Sequence, residues 1–213
     1  GMLGGFAGGF LACRRLGLNF MRMADMTSPT LAAGLGITRI GCLLFGCDYG
    51  KPVPPDAPSW LHTISIKFPN WAISHPQAAN HIEPMHGSLV GSPAFVHHVH
   101  DGLVTAADAT SLPVYPVQIL SSINGWLALG LLLLFWKKKV FDGQVFLVFV
   151  MYYGITRFLL EFFRGDAARG NLLGVSTSQW LAMATFAVAL VFYKAKKAQS
   201  NSPMQNKHHI SIH

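Results

Sequence analysis

Between Pro116 and Trp136 the chain carries no charged residue, and Lys137, Lys138 and Lys139 follow at once. A helix of about 20 residues is about 30 Å long, the thickness of a bilayer's hydrocarbon core. An apolar run of that length, closed by a block of cations, reads as a membrane span with its end at the water interface. Composition agrees. The 213 residues are 51% hydrophobic and only 12% charged, about half the charged fraction of a typical soluble domain. The net charge of +7 does not mark a nucleic-acid binder, because the cations sit at the ends of apolar segments rather than along one face.

Four further apolar segments accompany this one: a partial span over 1–13 closed by Arg14 and Arg15, then 25–46, 143–163 and 176–193. The expected fold is an all-α polytopic membrane protein, a single helical bundle over 1–193 with a loop at 47–112 inserted on one side. Residues 198–213 read as a disordered polar tail. Residues 1–13 supply only part of a span and no initiator Met precedes them, which predicts further spans upstream. Ten cations fall on one side of the membrane: Arg14, Arg15, Arg22, Lys137, Lys138, Lys139, Lys194, Lys196, Lys197 and Lys207. Only Lys51, Lys67, Arg164 and Arg169 fall on the other. The positive-inside rule places the larger group in the cytoplasm. The loop 47–112 then faces outward with seven of the ten histidines. Its pieces HTISIKF and LPVYPVQ read as short strands or interfacial segments.

The chemistry concentrates in YYGITRFLLEFFRGD, residues 152–166. Tyr153, Arg157, Glu161 and Arg164 are spaced by four, four and three. On an α-helix that spacing puts them on one face of an otherwise apolar span. Arg39 lies inside the second span. Ionisable groups at bilayer depth cost roughly 2.5–3.5 kcal/mol each on insertion scales, so these side chains need partners or a wet cavity. An internal ion pair of Arg157 with Glu161 is one reading. The other follows from charge: two arginines and one glutamate leave a positive surplus, which an external anion would complete. In a membrane that anion is a phospholipid phosphate, whose oxygens the guanidinium fork binds bidentately.

Gly34, Gly36 and Gly41 flank Arg39 and let helices approach closely. Cys13 lies in an apolar run and reads as packing. Cys42 and Cys47 are five apart, so a disulfide between them requires the helix to end between them. His86, His97, His98 and His100 offer metal ligands or a solvated loop, and no carboxylate or cysteine set accompanies them at a metal-binding spacing.

Several stretches together resemble one family. TRIGCLLFGCDYGKP is similar to the signature of the prolipoprotein diacylglyceryl transferases: Arg-[Ile/Leu]-Gly-Asn, then Asn-Gly-Glu, then an aromatic, Gly and a basic residue. YPVQILSS resembles the family's His-Pro-Ser-Gln-Leu-Tyr-Glu. DGQVFLVFVMYYGITRFLLEFFRGD resembles the helix carrying Gly-Gln, Tyr-Gly-x-x-Arg and Glu-Phe-Phe-Arg-x-Pro-Asp, and GVSTSQWLA resembles the opening of the last helix. The likeness runs in order from residue 1 to about 190. Family asparagines fall on Cys42 and Phe45, and family glutamates on Cys47 and Ser121. The family's His-Gly-Gly motif would end at Gly1, so its histidine is not among these residues.

The resemblance implies transfer of a diacylglyceryl group from phosphatidylglycerol to the lipobox cysteine thiol of a prolipoprotein, in the bacterial inner membrane. A thioether forms and glycerol phosphate leaves. It implies that Arg39 and Arg157 hold the phosphate, that Tyr153 and Glu161 orient the headgroup, that Gly50 keeps the signature's turn open and that Gln118 lines the site, with Arg164 among the substrate-binding residues. The expected partners are phosphatidylglycerol, membrane lipid and the lipobox peptide, with no nucleic acid, metal or organic cofactor. The alternatives are a relative that binds phospholipid or lipoprotein without turnover, and a transporter or channel lined by Arg39, Arg157 and Glu161.

Overall fold

Caps and turns decide where several of the helices begin and stop. The computed structural model describes residues 2–79, 84, 89–165, 171–172 and 174–200. Helix α1 spans Met2–Arg15, and α2 spans Phe20–Phe45. Short helices α3 (Ser59–Ile64), α4 (Trp71–Ser74), α5 (Pro76–Ala79) and α6 (Pro93–His100) follow. The long helices α7 (Val117–Trp136) and α8 (Gln144–Glu161) come next, then a two-stranded antiparallel hairpin, β1 (Asn171–Leu172) and β2 (Val175–Ser176), and finally α9 (Thr177–Ser200). The all-α membrane architecture expected from the sequence is observed.

Among the described residues, α2, α7 and α8 are long and apolar enough to cross a membrane. The first and fifth expected spans form helices α1 and α9, which are not among those three. Helix α2 starts at Phe20 rather than near 25, because the Asn19 side chain accepts from the N–H groups of Met21 at 2.9 Å and Arg22 at 3.3 Å and so caps it. Helix α9 continues beyond residue 193 to Ser200. Lysine is a good helix former, so a charged end does not by itself stop a helix. The expected tail from 201 onward lies outside the described residues, as do His81 and His86.

The chain divides into two compact units, with boundaries inside α2, α7 and α8. The first comprises the described parts of Gly1–Gly34, Gly125–Phe158 and Thr177–His213. Its centre is Asp25, wholly buried on α2. Its carboxylate accepts from the N–H groups of Gly143 at 2.7 Å and Phe146 at 2.9 Å, and pairs with Lys139 at 3.0 Å. These are the orphan donors at the start of α8, so an aspartate from one helix caps another. Asp142 extends the network to Lys139 at 3.0 Å and Arg22 at 3.3 Å. Gly154 lets α8 approach α9: a Cβ there would come to 3.1 Å from the Ala182 carbonyl oxygen and 3.2 Å from Phe186 Cβ.

The second unit comprises Leu35–Asn124 and Leu159–Ser176. Its core packs Tyr49, Phe68, Ala94 and Val114, with Leu43 and Ile66 against them. The region read as a loop at 47–112 is thus largely folded. Residues 62–64 of the HTISIKF segment lie in α3, and Ile66 bridges Val114. Pro52 and Pro69 make further bridges, to Val114 and Thr110. Asn70 is buried, caps α4 through the Ala72 N–H at 3.1 Å, and donates to the carbonyls of Ala106 and Asp108 at 3.1 Å each. His98 is buried and accepts the Leu112 N–H on Nδ1 at 3.2 Å. The neutral ring with its proton on Nε2 is the tautomer this bond requires.

Candidate active site

The end of α2 builds the site in the second unit. The helix stops at Phe45, Gly46 turns through φ +84, and Asp48 takes φ +53. Aspartate enters this left-handed region more readily than most residues. The turn presents the Asp48 carboxylate back to the helix. Oδ2 accepts from Arg39 Nη1 and from Cys42 Sγ at 3.5 Å, and Oδ1 accepts from Arg164 Nη2. Burial pushes the Asp48 carboxyl up, but the hydrogen bond and charge of Arg164, and then those of Arg39, outweigh it and hold it down at about 2. One ionised carboxylate therefore orients two guanidiniums.

Arg164 reaches this position from outside the helix. The expected stripe placed it on the helical face with Tyr153, Arg157 and Glu161, but α8 ends at Glu161. The N–H groups of Phe162, Phe163 and Arg164 reach carbonyls only three residues back, at 3.2–3.3 Å. That tighter winding ends the helix. Arg164 then bridges Gly50, while Lys51 N–H donates to the Phe163 carbonyl at 2.9 Å and Gly165 N–H to that of Tyr49 at 3.1 Å. Gly50 serves close approach rather than an unusual φ: a Cβ there would strike the Tyr115 carbonyl oxygen and lie 2.7 Å from Tyr115 Cβ. Gln118 is buried and donates Nε2 to the Cys47 carbonyl at 3.0 Å. Its Oε1, also buried, has no hydrogen-bond partner among the described residues. Glu161 accepts from Ser176 Oγ at 2.9 Å.

Tyr153 and Arg157 belong to the first unit. Arg157 Nη2 donates to Ser178 Oγ at 3.3 Å, and the Tyr153 ring stacks on Phe149 at 6.2 Å between centroids. The second unit thus brings together Arg39, Arg164, Gly50 and Gln118, around Asp48. Sequence reasoning missed Asp48, Ser176 and Ser178. For Asp48 a signal existed: an acid three residues after an apolar helix that holds an uncompensated arginine. The two serines offer no such signal.

Sulfur and carboxylate donors also meet here. The ligand atoms of Cys42, Cys47 and Asp48 all lie within 4.8 Å of one another. Two guanidiniums already bracket the carboxylate, and their charge opposes a divalent cation. Two of the three histidines of α6 serve packing, while His100 is exposed beside Asp101 at 3.3 Å. Tyr49 OH and His97 Nδ1 are 3.0 Å apart, and His98 makes an edge contact with the Tyr49 ring.

Long apolar helices with a partly buried arginine–carboxylate cluster at one helix end define an integral membrane protein with an ionic site. Comparison with known proteins narrows the class. The family model described as prolipoprotein diacylglyceryl transferase matches residues 1–194, and the chain belongs to this family. Similar proteins include the phosphatidylglycerol–prolipoprotein diacylglyceryl transferase of Clostridium tetani, 29% identical over 192 residues, which are 90% of this chain and 60% of that one. Phosphatidylglycerol–prolipoprotein diacylglyceryl transferase 2 of Clostridium perfringens is 30% identical over 207 residues, 97% of this chain and 64% of its own. The Paraburkholderia phymatum enzyme is 33% identical over 167 residues, 77% and 50%. The chain therefore spans about three fifths of the length of the first two relatives.

Proposed function

We propose that this chain carries out transfer of a diacylglyceryl group from phosphatidylglycerol to the lipobox cysteine thiol of a prolipoprotein, in the bacterial inner membrane. The observation that carries the reading is the Asp48 carboxylate between Arg39 and Arg164. A carboxylate shared by two guanidiniums holds both forks in place. That arrangement suits a phosphodiester headgroup and, better still, the phosphate dianion that develops when it leaves. The family resemblance assigns Arg157, on α8, to the same phosphate. The buried Gln118 Oε1 is an acceptor suited to a glycerol hydroxyl.

In the reaction the cysteine sulfur attacks the lipid glycerol carbon that bears the phosphate ester. The carbon–oxygen bond breaks, a thioether forms, and glycerol phosphate departs with the electron pair. The thiol proton passes to solvent. Arg39 and Arg164 stabilise the departing anion; the family resemblance adds Arg157 to that role and gives Tyr153 and Glu161 the orienting of the headgroup. The proposed topology is a transmembrane domain over 1–193 with 47–112 on the extracytoplasmic side, following the cation bias. The test is mass gain on a lipobox peptide in vesicles containing phosphatidylglycerol. Arg157→Ala and Tyr153→Phe are expected to lose transfer while still inserting. A protein that inserts well and binds the lipid but never modifies the peptide would refute the transferase and favour a binding relative.

A further inference from the structure

Helix α2 ends between two cysteines. Its last residue is Phe45, Gly46 follows in the left-handed region, and the Cys47 N–H donates to the Cys42 carbonyl at 3.1 Å. Gly46 N–H also donates to the Cys42 carbonyl, at 2.8 Å. This closure of residue 47 onto residue 42 is that of a Schellman turn. In a continuous helix, residues five apart point well away from each other. The turn removes that offset and puts both thiols on the same side, within 4.8 Å of each other and of the Asp48 carboxylate. Both are free and half-buried.

We infer that Cys42 and Cys47 are a vicinal dithiol that closes to a reversible disulfide beside the Arg39–Asp48–Arg164 cluster. The turn fixes the backbone, so side-chain rotation covers the remaining distance to a bond of about 2.05 Å. The oxidant is a low-molecular-weight disulfide, R–S–S–R. One protein thiolate attacks it, forming a mixed disulfide and releasing one RSH. The second protein thiolate attacks the protein sulfur of that mixed disulfide and releases the other RSH. Two protein thiols are oxidised, one external disulfide is reduced, and the two protons end on the two RSH products. Such a short loop gains little from chain entropy, which keeps the bond reducible. Closure also removes the Cys42 S–H that donates to Asp48 Oδ2 at 3.5 Å. The chemistry is independent of the transfer reaction.

The experiment equilibrates the purified protein in detergent with glutathione buffers of increasing oxidised fraction. Acid quenching, alkylation with N-ethylmaleimide and mass spectrometry follow. The oxidised protein is expected to carry two fewer adducts, to weigh about 2 Da less before alkylation as two hydrogens leave, and to yield one cross-linked peptide containing Cys42 and Cys47. Cys13 stays alkylatable, dithiothreitol restores both lost adducts, and Cys47→Ser gives a glutathione adduct on Cys42 instead of a cross-link. Three adducts at every buffer composition would overturn the proposal. So would a cross-link to Cys13, or protection that a chelator rather than dithiothreitol reverses, which would mark a metal site.

Discussion

Asp25 and Asp48 are both held by hydrogen bonds and basic side chains, yet they do opposite things. Asp25 is wholly buried, and two of its partners are backbone N–H groups at the start of α8. Together with Asp142 it faces Lys139 and Arg22, so acids and bases balance. Its energy goes into joining helices. Asp48 is partly exposed, sits in a left-handed turn, and meets two guanidiniums and a thiol. A carboxylate that spends its lone pairs on backbone is a fastener. One that spends them on guanidiniums fixes where those forks point.

The largest expected effect tests the fastener. Asp25→Ala leaves two helix-end donors buried without their acceptor and takes from Lys139 one of its two carboxylates, so that Asp142 alone remains, and breaking a buried pair in this way costs about 3–5 kcal/mol. Thermal unfolding of the detergent-solubilised protein should show that loss, with Asp25→Asn milder because its amide oxygen still accepts. An Asp25→Ala protein as stable as the parent would break the comparison. The next effect tests the other carboxylate. Arg164→Ala should lower peptide lipidation by about 10²–10³-fold, as loss of a preorganised anion stabiliser does. Arg164→Lys should recover only part, because the charge returns without the fork. Recovery of full activity by lysine would mean that charge alone is used.

How much of this was legible depends on sequence distance. The third span was expected at 116–136 and α7 runs Val117–Trp136, because a charge-free run bounded by lysines is a local signal. The fourth was expected to reach 163, but α8 tightens and ends at Glu161, since nothing in FFRG marks the place where backbone pairing with Gly50 takes over. The start of α2 was missed because Asn19, its cap, lies among residues that read as an interhelical loop. Arg157 and Arg39 stood out as charges inside apolar runs. Asp25 did not, because its partner Gly143 lies 118 residues away, and the tie of Asp48 to Arg164, 116 residues on, is equally hidden, although Arg39 nine residues before Asp48 was a local signal. Helical periodicity cannot see such a pairing. Aspartates at run ends look like ordinary interface residues until the chain is folded.

The smallest effect is a slope in pH, and it separates the two units again. In the second unit burial holds His98 below its ordinary value of 6.5, and the neighbouring His97 adds to this while Asp101 opposes it. Asp48, at about 2, lies below its ordinary 3.8. A depressed group is protonated first in the unfolded chain. Its stabilisation is therefore complete above the ordinary value and is lost as pH falls. His98 begins to weaken this unit below pH 6.5, and Asp48 adds to the loss between about 4 and 2. In the first unit burial pulls Lys139 down, but hydrogen bonds and charge from Asp142 and Asp25 outweigh it and raise it above 10.5. Its stabilisation is complete below that value and is lost as pH rises through the raised one. Hydrogen exchange read peptide by peptide from pH 7.5 to 5.5 should thus show protection falling around α6 and residues 110–114, with the Asp25 network unchanged. His98→Gln, which keeps an acceptor for the Leu112 N–H but does not titrate in this range, should flatten the slope. An equal slope in both units, or one that survives His98→Gln, would assign the acid sensitivity to something other than this buried imidazole.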